Sequence, residues 1–243
     1  MLELLKKSIK DLERPLNNEE SAYLAMTSKF ENPFRDKLAY SLFTHYKTEK
    51  KVCREWSSKE KDVSRVDIAI IKNDESLENM NLIELKATNT QHGYGGFVEE
   101  KLLEKKRLNH IRIHVKSLVK KLYFLQQKCN EDNVYGIFIG THPTERIDER
   151  YNMMVKSCYS LPPERYLKEN YENDVKRFIS EIEIAYGNTI KEEIQKACTY
   201  ERTNRPNCKY NFLLHNDRLS IPLGNFYNTP ISLLIYLIEC VDA

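Results

Sequence analysis

Three residues in the first half of the chain have types and spacing suited to chemistry: Asp67, Glu84 and Lys86. Asp67 is a lone carboxylate within the apolar run RVDIAII, whereas Glu84 and Lys86 alternate with apolar residues in LIELKA. Residues two apart on a strand share a face, so Glu84 and Lys86 point the same way if LIELKA is a strand. A turn over 73–81 that pairs the two runs can bring Asp67 beside Glu84. The sequence therefore predicts two carboxylates and an amine on one face of a sheet.

These groups suit the metal-assisted hydrolysis of a phosphodiester bond. Mg²⁺ takes oxygen ligands and keeps several waters, so Asp67, Glu84 and the backbone carbonyl of Leu85 could hold one or two ions. The metal lowers the pKa of a bound water and stabilises charge on the phosphate, and Lys86 could orient or deprotonate that water. Without a metal the two carboxylates repel each other, so the site needs a cation or a proton.

The elements that position these residues are predicted by hydrophobic periodicity. Apolar and β-branched runs predict strands at 51–56, 65–72, 82–87 and 133–140. Apolar residues three and four apart predict helices at 2–12, 33–46 and 97–128, and Asn17 and Asn18 can cap a second short helix through Met26. The order of helix, three strands, helix and strand indicates an α/β fold, in which a mixed central β-sheet is flanked by helices and has a crossover connection.

The remainder of the chain is predicted to form a mainly helical C-terminal elaboration packed on the core. One helix is expected to end at Gly187-Asn188, and another covers 190–198. Strands at 210–214 and 219–223 are expected to form a hairpin about residues 215–218, and a last apolar helix starts at Thr229-Pro230. The predicted division is an N-terminal helical segment (1–29), a core (30–147) and the elaboration (148–243).

Asp67, followed by Glu84-x-Lys86 on the next strand, resembles the PD-(D/E)xK motif of restriction endonucleases and related DNA repair enzymes. The resemblance covers roughly residues 30–140. It implies a nuclease that cuts double-stranded DNA with Mg²⁺, for which Mn²⁺ can substitute. It further implies that Asp67 and Glu84 are metal ligands and that Lys86 is the catalytic lysine. Val66 stands where the motif has proline, and no Q-x-x-x-Y pattern follows the lysine, so a RecB-like subgroup is not indicated.

The same superfamily often has a further acid on the helix before the three strands. The candidates here are Glu31, Asp36 and Glu20. Glu31 lies three residues before Phe34, an expected core residue, and therefore leans toward the sheet, so Glu31 is the preferred candidate. Arg35 in the same segment could pair with a carboxylate or a phosphate.

A basic helix is predicted to supply a surface for DNA. Nine Lys and Arg residues against one acid lie within 101–128. Arg112, Lys116 and Lys120 share a face at i, i+4 spacing and could lie along a phosphate backbone. The alternative is an ordinary solvated helix face.

Composition excludes several classes of protein. The chain has 243 residues, and 38 Lys and Arg against 36 Asp and Glu leave a net charge of +2. These values exclude collagen, a disordered chain and binding to nucleic acid by bulk charge alone. The longest apolar stretch, 231–240, is too short to span a bilayer. The six cysteines form no CxxC pair, which favours a reduced chain in the cytoplasm and no zinc site.

Together these observations predict a Mg²⁺-dependent DNA endonuclease, with a type II restriction endonuclease as the preferred subtype. Such enzymes usually dimerise to cut both strands, so the resemblance implies a homodimer. A structure-specific repair or defence nuclease is the first alternative. A catalytically silent nucleic-acid-binding module of the same fold is the second. The sequence recognised is not marked by any local pattern.

Overall fold

The computed structural model describes residues 1–72, 79–90, 109–129, 133–145, 147, 149–154, 171–204, 210–215 and 219–242. The helices are α1 (Leu2–Lys10), α2 (Glu13–Leu16), α3 (Glu19–Thr27), α4 (Glu31–Tyr46), α5 (Asn109–Lys128) and α6 (Tyr171–Asn204), with a 3₁₀ helix at Glu149–Met154. The strands are β1 (Lys50–Ser58), β2 (Val63–Lys72), β3 (Asn81–Asn89), β4 (Asn133–Pro143), β5 (Tyr210–Leu214), β6 (Leu219–Phe226) and β7 (Thr229–Asp242). No described helix is both long enough and apolar enough to cross a membrane.

The seven strands form one mixed sheet with the order β1-β2-β3-β4-β7-β5, and β6 also pairs with β7. Strands β1, β2 and β3 are consecutive antiparallel neighbours, which confirms the predicted three-strand meander. Strand β4 is parallel to β3, and a parallel pair requires a crossover connection. Helix α5 lies in that connection, as predicted. The α/β class with helices around a mixed sheet is therefore confirmed.

Alternating residues of the central strands fill two cores, one on each face of the sheet. Ile68, Ile83 and Leu85 join the core that contains α1 and the apolar residues of α3 and α4. Leu82 and Ala69 join the opposite core, which contains the apolar stripes of α5 and α6. Both faces of β2 and β3 are thus covered, so the polar side chains on these strands need partners or a functional reason.

The N-terminal helices begin and end with recognisable local signals. Asn18, one of the two cap residues predicted from the sequence, accepts a hydrogen bond from the Ser21 amide at 2.8 Å and is the N-cap of α3. The first predicted helix, 2–12, ends two residues earlier, at Lys10, and Pro15 lies inside a separate short helix, α2. Pro33 stands in the first turn of α4, where its missing N–H costs no helical hydrogen bond.

The C-terminal region differs from its prediction in three ways. The apolar segment after Thr229-Pro230 is the strand β7 rather than a helix, and it pairs with β4 in the middle of the sheet. Strands β5 and β6 exist, but each pairs with β7 and they do not form the predicted hairpin with each other. Helix α6 continues through Gly187 without ending there.

Of the predicted helix at 97–128, residues 97–108 lie outside the described part of the chain.

Gly187 lies inside α6 at a place where a neighbouring ring leaves little room for a side chain. A Cβ on Gly187 would lie 3.2 Å from the Tyr236 hydroxyl of β7, so the glycine permits close packing of α6 on the sheet. Likewise, a Cβ on Gly140 of β4 would lie 2.7 Å from the Tyr186 hydroxyl of α6. Interior glycine weakens a helix by only about 1 kcal/mol, a cost that buried packing on both sides can offset.

Candidate active site

The antiparallel ladder between β2 and β3 is short. It covers Ile70↔Asn81, Ala69↔Leu82 and Ile68↔Ile83. Beyond Ile68, β2 stays paired with β1 at Val66, and β3 stays paired with β4 as far as Asn89. The two strands therefore separate next to Asp67 and Glu84, the pair that would follow Ile68↔Ile83. We call this opening the β2–β3 notch.

Carboxylates occupy the edge of β3 that β2 leaves unpaired. Asp67 Oδ2 accepts the Leu85 amide at 2.8 Å, and Glu31 Oε2 accepts the Ala87 amide at 2.9 Å. Residues 85 and 87 direct their N–H groups to the same side because the ladder alternates along a strand. Side chains of β2 and α4 thus replace two backbone hydrogen bonds, and this satisfies the buried amides of β3.

Glu31 is the only one of the three candidate helix acids that the structure brings to β3. Its position in the first turn of α4 lets it reach Ala87. Asp36 instead binds Arg35 Nε at 3.1 Å and Arg54 Nη1 at 3.0 Å, and Glu20 is exposed on α3. The preference for Glu31 in the sequence therefore agrees with where the structure places it; its role in chemistry stays a prediction.

Glu84 is the most perturbed carboxyl group of the site. Burial, followed by the charge of Asp67, raises the pKa of Glu84 from 4.5 to about 8, and the charges of Lys121 and Lys86 act in the opposite direction. Its Oε2 is buried and has no hydrogen-bond partner among the residues that the structure describes. A buried acceptor without a partner is costly, so this oxygen is suited to a cation or to its own proton.

Neighbouring groups act on the pKa of Asp67 in both directions. Burial raises the pKa of this carboxyl and the charge of Glu31 raises it further, whereas the Leu85 amide, Arg35 and Arg65 lower it. The net direction is upward. Two neighbouring carboxyl groups with raised pKa values are the expected result when like charges share a buried site.

The third predicted metal ligand and the lysine are also at the notch. The amide of Leu85 donates to Asp67, and on a strand the carbonyl of a residue points to the same side as its amide, so the Leu85 carbonyl faces the notch. Lys86 is half-buried. Alternation along β3 places Lys86 on the face of Glu84, while Leu85 is buried in the opposite core.

The residues of the notch fit Mg²⁺ on the chemistry of their donors. Among the described residues, no group of three or more His, Cys, Asp and Glu side chains could hold a metal ion. Mg²⁺, however, is commonly held by one or two carboxylates and keeps several waters. Asp67, Glu84 and the Leu85 carbonyl supply that number of oxygens, and the buried Oε2 of Glu84 supplies an acceptor that needs a positive partner.

Arg35 does not have the exposed position that phosphate binding requires. Its guanidinium donates to Asp36 Oδ1 at 3.1 Å and to Glu55 Oε1 at 2.9 Å, and its Nη1 lies 3.9 Å from Asp67 Oδ1. The side chain is only 8% exposed. The sequence allowed Arg35 to bind either a carboxylate or a phosphate, and in the structure it binds carboxylates.

The predicted basic ridge is only partly present. Lys116 and Lys120 are exposed on α5. Arg112 instead turns toward α6, where its Nε lies 3.2 Å from Oε1 of the buried Glu193. Arg112 therefore joins two helices rather than extending the ridge, because a buried carboxylate strongly prefers a cationic partner.

Lys121 is a residue that sequence reasoning missed. Its charge opposes the rise in the Glu84 pKa, ahead of that of Lys86, and its ammonium lies 5.7 Å from the centre of the Phe124 ring. A signal was present in the sequence, because Lys121 is adjacent to the buried Leu122 of the α5 core stripe. A lysine at the border of such a stripe can reach the sheet that the stripe covers.

Comparison with known proteins does not place the chain in a family: no family model, no curated protein and no solved structure matches it.

Proposed function

We propose that the protein is a Mg²⁺-dependent DNA endonuclease, and that it acts on double-stranded DNA as a type II restriction endonuclease. One observation carries the proposal. Asp67 and Glu84 lie at the β2–β3 notch, where Asp67 is fixed by the Leu85 amide and Glu84 has a buried oxygen without a partner among the described residues. A buried carboxylate oxygen without a partner is costly, and a cation held between Asp67 and Glu84 would give this oxygen its partner.

Each residue of the notch has a distinct role in the proposed site. Asp67, Glu84 and the Leu85 carbonyl hold the cation, which when bound supplies a water of lowered pKa and stabilises charge on the scissile phosphate. Glu31 fixes β3 through the Ala87 amide. Lys86 shares the face of Glu84, from which its amine can orient a water or accept its proton.

The test is cleavage of phage genomic DNA by the purified protein in Mg²⁺, with EDTA as the first control. Asp67→Asn preserves the size of the side chain and leaves one oxygen to accept the Leu85 amide, but it removes the charge. Asp62→Asn is the matched control, because Asp62 is an exposed aspartate just before β2 whose carboxylate binds Lys128 at 2.7 Å. Cleavage by the wild type and Asp62→Asn, but not by Asp67→Asn or in EDTA, supports the proposal.

The form of the products separates the candidate functions. Discrete fragments support a sequence-specific restriction enzyme, and analytical ultracentrifugation then tests the homodimer. A smear supports a repair or defence nuclease. DNA binding without cleavage of plasmid, linear or branched substrates in Mg²⁺ or Mn²⁺ contradicts the enzymatic proposal and favours the silent binding module.

A further inference from the structure

Arg35 lies at the centre of a chain of alternating charges beside the notch. Asp36 joins it to Arg54, and Glu55 joins it to Arg65, whose Nη1 lies 3.5 Å from Glu55 Oε1. Arg54 and Arg65 are 56% and 66% exposed, whereas Arg35 is 8% exposed. Partners on both sides hold the buried guanidinium in place, and this fixes its position next to Asp67.

The Asp67 carboxylate has different neighbours on the side of β3 and on the side of α4. On the β3 side lie the Leu85 amide and Glu84, whose Oε2 has no hydrogen-bond partner within the described part of the chain. On the α4 side Oδ1 faces the Arg35 guanidinium at 3.9 Å, and Oε2 of Glu31 is already occupied by the Ala87 amide. The β3 side therefore holds a buried oxygen in need of a positive partner, and a fixed positive charge occupies the α4 side.

A second metal ion would need the α4 side of Asp67. In two-metal sites the ions lie about 3.5 to 4 Å apart and share a ligand. An ion that shared Asp67 from the α4 side would lie close to the buried guanidinium, and two cations without intervening water repel each other strongly. The nearby carboxylates of Asp36 and Glu55 do not offset this repulsion, because arginines already hold them.

We propose that the notch binds a single divalent cation, held between Asp67 and Glu84, and that Arg35 is a positioning residue whose guanidinium takes the place of a second ion. The inference rests on the proposed function, since it concerns the metal count of the same site. Arg35 acts through Asp67: it keeps that carboxylate turned between the two strands, with one side open to a cation.

The experiment counts ions without using activity. Mn²⁺ is titrated into metal-free protein, and free Mn²⁺ is measured from its solution electron paramagnetic resonance signal. We expect one ion per chain for the wild type and at least a tenfold loss of affinity in Asp67→Asn. Two ions of comparable affinity, both lost in Asp67→Asn, overturn the inference but leave the proposed function standing. No binding that depends on Asp67 overturns both.

Substitutions then test the part assigned to Arg35. Arg35→Met removes the charge, and we expect it to admit a second Mn²⁺ ion that depends on Asp67; Arg35→Lys is expected to keep the count at one. Arg54→Met is the matched control, because Arg54 is the exposed end of the same charge chain. A folded Arg35→Met protein that still binds one ion contradicts the role of Arg35. If circular dichroism shows that Arg35→Met does not fold, the counts for the wild type and Arg35→Lys decide: two ions in either protein overturn the inference.

Discussion

Each oxygen of the Asp67 carboxylate faces a different part of the protein. Oδ2 accepts the Leu85 amide at 2.8 Å, and Oδ1 lies 3.9 Å from Arg35. An alanine at this position removes both oxygens, and the unsatisfied Leu85 amide costs about 1 to 3 kcal/mol. The amide oxygen that Asp67→Asn introduces can still accept the Leu85 N–H, so this substitution separates the loss of charge from the loss of strand geometry.

Lys86→Ala is expected to lower the rate of cleavage at least about 100-fold, because a positioned proton-transfer group contributes about 10² to 10⁴. DNA affinity, measured by fluorescence anisotropy, should stay within a few-fold. Lys72→Ala is the matched control, since Lys72 is an exposed lysine at the other end of β2. Cleavage by Lys86→Ala at a rate near that of the wild type would contradict the assigned role.

The raised pKa of Glu84 predicts how stability depends on pH in the absence of divalent cations. Its pKa is 4.5 in the unfolded chain and about 8 in the folded protein, so the folded protein binds more protons between these values. The stability that Glu84 contributes is therefore fully present below about pH 4.5 and is lost as the pH rises toward about 8, by at most about 1.4 kcal/mol per pH unit.

The measurement is urea unfolding in EDTA at several pH values between 5 and 8. Glu84→Gln is neutral at every pH, so its free energy of unfolding should fall less steeply with pH than that of the wild type. Asp67 retains a raised pKa and leaves a smaller slope of the same sign. Parallel pH profiles for the wild type and Glu84→Gln would contradict the assignment of the pKa shift to Glu84.

The strands that carry the site could be predicted from the sequence because their signals are local. In RVDIAII and LIELKA the apolar residues alternate or run continuously around single polar residues, which is typical of strands with at least one buried face. The separation of β2 from β3 could not be predicted, because it depends on Asp67 and Glu31 taking amides from a strand that is distant along the chain. The site residues were thus predictable, and their hydrogen bonds were not.

The strand β7 was mistaken for a helix because it is buried on both faces. Ile231, Leu233, Ile235 and Leu237 belong to one core, and Leu234, Tyr236 and Ile238 belong to the other. A continuous apolar run of this kind has no period of two, so periodicity alone does not separate a buried strand from a buried helix. Pairing with β4, which is remote in sequence, determines the outcome.

Gly140→Ala tests the packing of α6 on β4. The added Cβ would lie 2.7 Å from the hydroxyl of the buried Tyr186, which cannot swing into solvent. We expect a loss of about 1 to 3 kcal/mol in the free energy of unfolding, as for overpacking in other cores. Urea denaturation measures it. Tyr186→Phe is the control and should change stability little, because the Tyr186 hydroxyl has no hydrogen-bond partner among the described residues.

At the scale of the whole molecule, the notch opens inside the sheet, along the part of β3 that β2 leaves unpaired, and both helical layers contribute to it. Glu31 and Arg35 reach it from α4, and the charge of Lys121 acts on it from α5. A net charge of only +2 over 243 residues requires any DNA-binding surface to be local. The exposed lysines of α5 lie on the same layer as Lys121, so this layer is the expected approach for DNA.

Lys116→Ala/Lys120→Ala is therefore expected to weaken DNA binding and to reduce the slope of log affinity against log salt by about two, because each phosphate contact contributes about 0.9. Arg112 is left unchanged, since it holds Glu193. The charge-matched control is Lys7→Ala/Lys10→Ala, which removes two exposed lysines of α1 on the opposite face of the sheet. Fluorescence anisotropy at several salt concentrations in EDTA measures binding without cleavage. If the α5 variant keeps the slope of the wild type while the α1 variant loses it, the DNA approaches the α1 layer and Lys121 has no part in its path.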